Sequence, residues 1–173
     1  LKYSYSRGTR AKILDFTGGI GVLNLGHNHP RILAVRQKFS IYKKMEVHKN
    51  YFSPYIGVLS SNIANLLPDD LDISYFPNSG AEAVEGAIKL AYKYHNKKRN
   101  VILHSNISFH GKTIAALNLT GSAETAYYEF QKVLNTDKFE YDKIKSVIKV
   151  YDDIIIVDNI NGVIINSEEV IYL

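Results

Sequence analysis

The chain lacks cysteine and tryptophan altogether and holds one methionine and four prolines in 173 residues. Without cysteine there are no disulfides and no Cys-ligated metal, a composition that fits a cytoplasmic protein. No apolar run approaches 18 residues, so no membrane-spanning helix is expected. The first residue is Leu1 rather than Met and no basic-then-apolar leader follows. This reads as an excised, processed or incomplete chain without a signal peptide. Strong charge of one sign is lacking too: the net charge is +4 and the lysines are scattered. Their densest cluster, Lys97-Lys98-Arg99, falls where a helix should end, and cations are favourable there. With neither a basic patch nor a binding motif, nucleic acid is not an expected partner. Repeats and low-complexity segments are also missing. Two Asn-x-Ser/Thr matches, at Asn106 and Asn118, read as chance without a leader.

What is present is the composition of a soluble globular protein, 46% hydrophobic and 22% charged, long enough for one domain with a real core. Ile13–Phe16 reads as a short strand, followed by a Gly- and His-rich loop from Thr17 to His29. Pro30 opens a helix through about Val47, since proline is tolerated in a first turn. A second helix runs from about Ile56 to Leu67 and stops before Pro68. Ile73–Phe76 and Val101–His104 read as strands, and Asp153–Ile160 is the clearest one, with an unbroken apolar centre. Continuous strands separated by helices point to an α/β fold with a mostly parallel sheet covered on both faces. The polar, poorly periodic stretch 121–140 reads as a long connection. The organisation expected is an N-terminal segment, 1–50, leading into a larger domain, 51–173.

The segment YFPNSGAEAVEGAIKLAYKYH, residues 75–95, carries the most information. Val84, Ala87, Ile88, Ala91 and Tyr94 step by three and four, which sets them on one helix face. Glu82 and Glu85 lie near the start and Lys89 and Lys93 towards the end, matching the helix dipole. Ser79 suits an N-cap. The first amides of a helix have no partner inside it, and Gly80 lets a ligand come close, so the same junction also suits an anion such as phosphate. The segment alone leaves both readings open. It is not a Walker loop and lacks the spacing of a dinucleotide fingerprint.

Other segments bear on the choice. Asp15-Phe16-Thr17-Gly18-Gly19-Ile20-Gly21 leads into Leu25-Gly26-His27-Asn28-His29-Pro30, then Asn78-Ser79-Gly80-Ala81-Glu82-Ala83, then Ser108-Phe109-His110-Gly111-Lys112-Thr113. In this order and spacing the set resembles the class III aminotransferases, the acetylornithine, ornithine and 4-aminobutyrate group of pyridoxal-phosphate enzymes with fold type I. The resemblance is nearly continuous from about Ala11 to Gly121 and weaker from Asp142 to Leu173. It implies the N-terminal half of a three-layer α/β/α large domain, incomplete at the C-terminus.

The resemblance also implies roles. Ser79, Gly80 and Ala81 would hold the phosphate of pyridoxal 5'-phosphate, and Phe109 would stack on its ring, with His110 and Gly111 shaping the turn beside it. Gly18, Gly19 and Ile20 would form a loop on the substrate side, near a subunit boundary. His27 and His29 could chelate a metal as His-x-His, but no third ligand is apparent. His110 could serve as a general base; in the family a lysine moves the proton, which leaves His110 beside the site.

Two groups that the family's chemistry requires have no counterpart in the matched region: the Schiff-base lysine and the aspartate that pairs with the pyridine nitrogen. Asp158 tempts one as that aspartate. Val157-Asp158-Asn159-Ile160-Asn161-Gly162 instead resembles an earlier Val-Glu-Pro-Ile-Gln-Gly segment, which puts Asp158 in place of a glutamate on the substrate side. Lys112 falls where the family carries a basic residue of another role. The expectation is an aminotransferase half that passes an amino group from an amino acid or ω-amine to a 2-oxo acid, inactive by itself. It would need a second copy, as in a homodimer, or a complementary C-terminal half. The competing expectations are a non-catalytic scaffold or regulatory subunit of the same fold, and a plain phosphate-ligand binding module.

Overall fold

A computed structural model describes residues 2–6, 9–44, 50–68, 70–96, 98–121, 132–140, 143, 154–158, 163–165 and 170–172. The chain divides into two compact units, Leu1–Asn62 and Ile63–Leu173.

The first unit opens with an antiparallel hairpin, β1 (Lys2–Ser6) and β2 (Thr9–Ile13), in the register Lys2↔Ile13 to Ser6↔Thr9. The strand expected at Ile13–Phe16 is therefore displaced. Pairing ends at Ile13, opposite Lys2, and the Asp15 carboxylate beyond it accepts from the amides of Thr17 and Gly18. Gly18–Gly21 (α1) is a single turn in the left-handed region. Helix α2 is Pro30–Ile41, shorter than expected: it closes on Tyr42, whose N–H reaches Lys38 O, and Lys43 follows with φ +46°. Residues 45–47 of the expected helix lie outside the described residues. Helix α3 is Pro54–Ala64, begun by Pro at its first position rather than at Ile56. The rings of Phe39 and Tyr55 lie 5.1 Å apart and pack α2 against α3.

The second unit is built on a five-stranded sheet in the order β4-β3-β5-β6-β7. These strands are β3 (Val101–Ser105), β4 (Thr136–Phe139), β5 (Ile154–Asp158), β6 (Val163–Ile165) and β7 (Val170–Tyr172). Strand β3 pairs in parallel with β4 and β5, while β6 and β7 continue the sheet antiparallel from β5. Ile102, Leu103, His104 and Ser105 are all buried, so β3 is covered on both faces, as a parallel strand requires.

Helix α4 (Gly80–Tyr94) lays Ile88 and Ala91 on Ile102 and Leu119, with Val84, Tyr92 and Leu134 around them. Burying an isoleucine of this kind is worth roughly 2–3 kcal/mol. Tyr94, expected on this face, is 71% exposed; its neighbour Tyr92 turns inward instead. Helix α5 (Ile114–Leu117) follows with Ala116 and Leu117 buried.

Two further expectations are corrected. Ile73–Phe76 is irregular rather than a strand, with Ile73 92% exposed. Within it the Tyr75 ring lies over the side-chain-free surface of Gly86. The stretch 121–140 contains β4, with only Phe139 of its four residues buried. Asn118 anchors the way into it: its Oδ1 accepts from the amides of Val133 and Leu134, at 2.7 and 3.0 Å.

Candidate functional site

The start of α4 is built by its own residues. Ser79 is extended (φ −152°, ψ 161°) and its Oγ accepts from Glu82 N–H at 3.2 Å. The Glu82 carboxylate reaches back to accept from Asn78 N–H at 2.6 Å. This reciprocal cap satisfies one of the loose first-turn amides, that of Glu82, and directs the Glu82 charge onto Asn78. It leaves the Ser79 hydroxyl proton available to donate. Among the described residues, the Gly80 and Ala81 amides have no acceptor, as first-turn amides do not. A Cβ built on Gly80 would meet nothing within 4 Å. The space beside Gly80 is open, and a side chain there would enter it.

Gly111 brings the next element to this helix start. Its φ of +128° lies in a region that L side chains rarely adopt, and a Cβ there would stand 2.5 Å from Ala81 Cβ and 3.4 Å from Ala116 Cβ. Only glycine allows that approach. Thr113, the residue that opens α5, donates its hydroxyl to the Glu85 carboxylate one turn further along α4. The Phe109-His110-Gly111 turn is therefore docked beside the Ser79-Gly80-Ala81 amides, and Phe109 is 48% exposed while His110 is buried. Gly111 thus brings the backbone of that turn against the second residue of α4.

The backbone on either side of Phe109 is stitched to the 119–121 segment. Ser108 is fully buried. Its Oγ lies 2.7 Å from both Ser105 O and Leu119 O, and Gly121 N–H donates to Ser108 O at 3.0 Å. His110 N–H donates to Thr120 Oγ1 at 3.2 Å. His104 underlies this turn at 1% exposure, with Nδ1 3.1 Å from Ser105 O. Burial is the main cause that holds its imidazole down at about 4, with His110, Lys138 and Lys132 adding positive charge nearby. At neutral pH His104 is therefore an uncharged donor.

Asp158 closes β5 at the same carboxyl edge of the sheet as Ser105–Gly111, one residue beyond Val157, the partner of His104. Asn159 lies outside the described residues. Lys112 is exposed.

Gly18, Gly19 and Ile20 belong to the first unit. The Asp15 carboxylate accepts from Thr17 Oγ1 (2.7 Å), Thr17 N–H (2.9 Å) and Gly18 N–H (3.2 Å), and lies 3.3 Å from His27 Nε2. The Thr17 hydroxyl and amide do most to lower its pKa to about 2. That anchored carboxylate sets up the turn in which Ile20, a β-branched residue, holds φ +64° with its side chain 91% exposed, a strained arrangement of the sort found at functional loops. A groove of about 340 Å³ between the 22–29 loop and α2 carries His27, His29 and Arg36 on its wall. Among the described residues no three His, Cys, Asp or Glu side chains gather as metal ligands.

Sequence reasoning missed Thr120 and Gly121. A Cβ on Gly121 would lie 2.5 Å from the carbonyls of Asn106 and Ser105, and the only sequence signal for this was a Thr-Gly pair following a short helical run.

Known proteins resemble this chain in sequence and in fold. The family model "Aminotransferase class-III" matches residues 8–165. A putrescine aminotransferase of Pectobacterium atrosepticum is 36% identical over 109 residues, which cover 62% of this chain and 23% of that protein. An acetylornithine aminotransferase of Nostoc sp. is 37% identical over 138 residues, 78% of this chain and 32% of that one. Among solved structures, an (S)-enantioselective omega-transaminase from Thermomicrobium roseum superposes with a TM-score of 0.66 at 26% identity, covering 73% of this chain and 30% of that one. A taurine:2-oxoglutarate aminotransferase from Bifidobacterium kashiwanohense, solved with PLP and glutamate, gives 0.66 at 21% identity over 91% of this chain and 40% of that one. The chain thus spans about a quarter to a third of the curated relatives it matches.

Proposed function

The chain belongs to the class III aminotransferases and has their type I fold, and from that premise we propose that it supplies the phosphate- and ring-holding half of a pyridoxal 5'-phosphate site. The observation that carries the reading is the contact of Gly111 with Ala81, which sets an aromatic turn beside the open amides of a helix start. Ser79 donates its hydroxyl and Gly80 and Ala81 their amides to the phosphate, helped by the helix dipole. Phe109 covers one ring face, worth roughly 1 kcal/mol beyond its burial, and His110 and Gly111 hold its backbone in place. On the family resemblance we assign Gly19 and Ile20, and separately Asp158 at the sheet edge, to the substrate side.

Pyridoxal phosphate, when bound, supplies an electron sink for amine chemistry. The residues of this chain bind and orient; the family resemblance assigns the Schiff-base role to none of its lysines. We assign the complete enzyme to transfer of an amino group from an amino acid or ω-amine to a 2-oxo acid, with this segment inactive by itself. Exposed apolar residues such as Phe16, Ile20 and Ile73 support a requirement for further protein surface, from a second copy as in a homodimer or from a lysine-bearing segment. The cysteine-free composition supports a cytoplasmic setting, and no described helix is long and apolar enough to cross a membrane.

The test is equilibrium titration with pyridoxal phosphate, pyridoxal and inorganic phosphate. The phosphate ester should bind much more tightly than pyridoxal, inorganic phosphate should compete, and Gly80→Val, which enters the open space beside that residue, should abolish the difference. Equal affinity for the two aldehydes would overturn the reading. Amino transfer is expected only with the lysine-bearing segment supplied; cofactor binding without transfer even then would favour the scaffold.

A further inference from the structure

Phe109 lies between two residues that buried hydroxyls tie to the same 119–120 segment, one before it and one after it in sequence. On one side, Ser108 Oγ has two carbonyls within 2.7 Å, Ser105 O and Leu119 O. Ser105 O already accepts from Ser108 N–H and lies 3.1 Å from His104 Nδ1. The single Ser108 proton is therefore best placed on Leu119 O, across eleven residues. On the other side, Thr120 Oγ1 accepts from His110 N–H at 3.2 Å, and its own proton has Gly111 O and Ala116 O at 3.4 Å. Ala116 O already accepts from Leu119 N–H, so Gly111 O is the less crowded acceptor. Both hydroxyls are buried, Ser108 at 0% and Thr120 at 7% exposure, whereas Phe109 is 48% exposed. A buried hydroxyl with two partners is a costly group to leave unsatisfied, and these two are spent on fixing the main chain beside one outward-facing ring.

We infer that Thr120, with Ser108, is a positioning residue for Phe109, holding the ring at the angle that a flat ligand on the Gly80–Ala81 amides requires. The inference rests on the pyridoxal-phosphate reading for the identity of that ligand. The latch itself rests only on the hydrogen bonds of residues 105–121. Preorganising the ring before binding spares its ordering cost when the ligand arrives.

The experiment uses the full chain with Thr120→Val, which keeps the shape and removes the hydroxyl, Thr120→Ser, which keeps the hydroxyl, and Phe109→Ala. Thr120→Val should weaken pyridoxal-phosphate binding by roughly three- to tenfold, comparable to Phe109→Ala, as one lost stacking contact implies, and leave inorganic phosphate affinity unchanged. In the Phe109→Ala background the same change should have no further effect, and Thr120→Ser should restore wild-type affinity. An equal loss with and without Phe109 would make Thr120 a merely structural residue and overturn the inference. A readout without cofactor runs alongside: the His110 amide should exchange with solvent about tenfold faster in Thr120→Val, while Ile102 and Leu103 keep their protection. Unchanged exchange at His110 overturns the latch even if wild-type protein binds the cofactor. Faster exchange in a chain that binds no cofactor overturns only the ligand's identity. If Thr120→Val fails to fold, Thr120→Ser carries the test, since a loss as large as that of Phe109→Ala with the hydroxyl still present would also overturn it.

Discussion

Gly111 and Ala81 are so close that a methyl group on the glycine would lie 2.5 Å from the Cβ of the alanine. One residue ends an aromatic turn and the other is the second of a fifteen-residue helix, so this approach decides whether the two halves of the candidate site face one ligand.

Gly111→Ala is therefore expected to damage both stability and binding. The side chain adds strain at φ +128° and overpacks Ala81, each a change of about 1–3 kcal/mol. Urea melts should show a lower midpoint, and pyridoxal-phosphate affinity should fall further than in Phe109→Ala, because the whole turn is pushed off the helix. Wild-type affinity in a folded Gly111→Ala protein would show that the turn takes no part in binding.

Two substitutions of Ser79 separate its duties. Ser79→Ala loses the bond from Glu82 N–H and should cost about 1 kcal/mol of stability. Ser79→Asp keeps a good cap and suits the helix dipole, so its melting temperature should stay near that of the wild type. It also sets a negative charge where the phosphate would lie, and pyridoxal-phosphate affinity should drop at least tenfold. Unimpaired binding by Ser79→Asp would mean that Ser79 is a cap and nothing more.

Acid should weaken the second unit through His104. Its imidazole titrates at about 4 in the fold against 6.5 unfolded. The unfolded chain thus takes up the proton first as pH falls. Stability is full above pH 6.5 and declines below it, by at most about 1.4 kcal/mol per pH unit, until the folded imidazole protonates as well. Chemical denaturation at a series of pH values, compared with His104→Gln, should show this slope reduced in the variant.

Gly121→Ala is expected to cost about 1–3 kcal/mol. The atoms it would strike are the main-chain carbonyls of Ser105 and Asn106, which cannot swing aside as a side chain could. The midpoint of denaturation should fall at an unchanged slope.

Elements with a strong local pattern were legible in the sequence. Helix α4 was announced by its Ser cap, its acid-to-base charge gradient and its period, and β3 and β5 by unbroken apolar runs. The failures share a cause: an apolar residue does not say what covers it. Ile73–Phe76 has the composition of a strand, yet its tyrosine is matched to the bare surface of Gly86 rather than to a neighbouring strand. Strand β4 was hidden because only Phe139 of TDKF is buried, and an edge strand can be polar. The turn from left-handed Gly18 to Gly21 was visible as glycines, but the positive φ of Ile20 was not, since nothing in a β-branched residue announces it. At the candidate site the motifs pointed to Ser79–Ala81 and Phe109–Gly111, while Thr120 and Gly121, which meet the main chain of residues 105–110, carried no motif of their own.

The central place of β3 has a consequence for synthesis. Ile102 pairs with Thr136 and with Ile155, partners made 34 and 53 positions later on the ribosome. Helix α4 can form from local contacts alone, but the strand beneath it must wait for both neighbours, and non-local pairings of this kind close slowly. During that interval an apolar stretch of the unit stands bare, and it is then, rather than after folding, that the nascent protein is most exposed to aggregation and most in need of a chaperone.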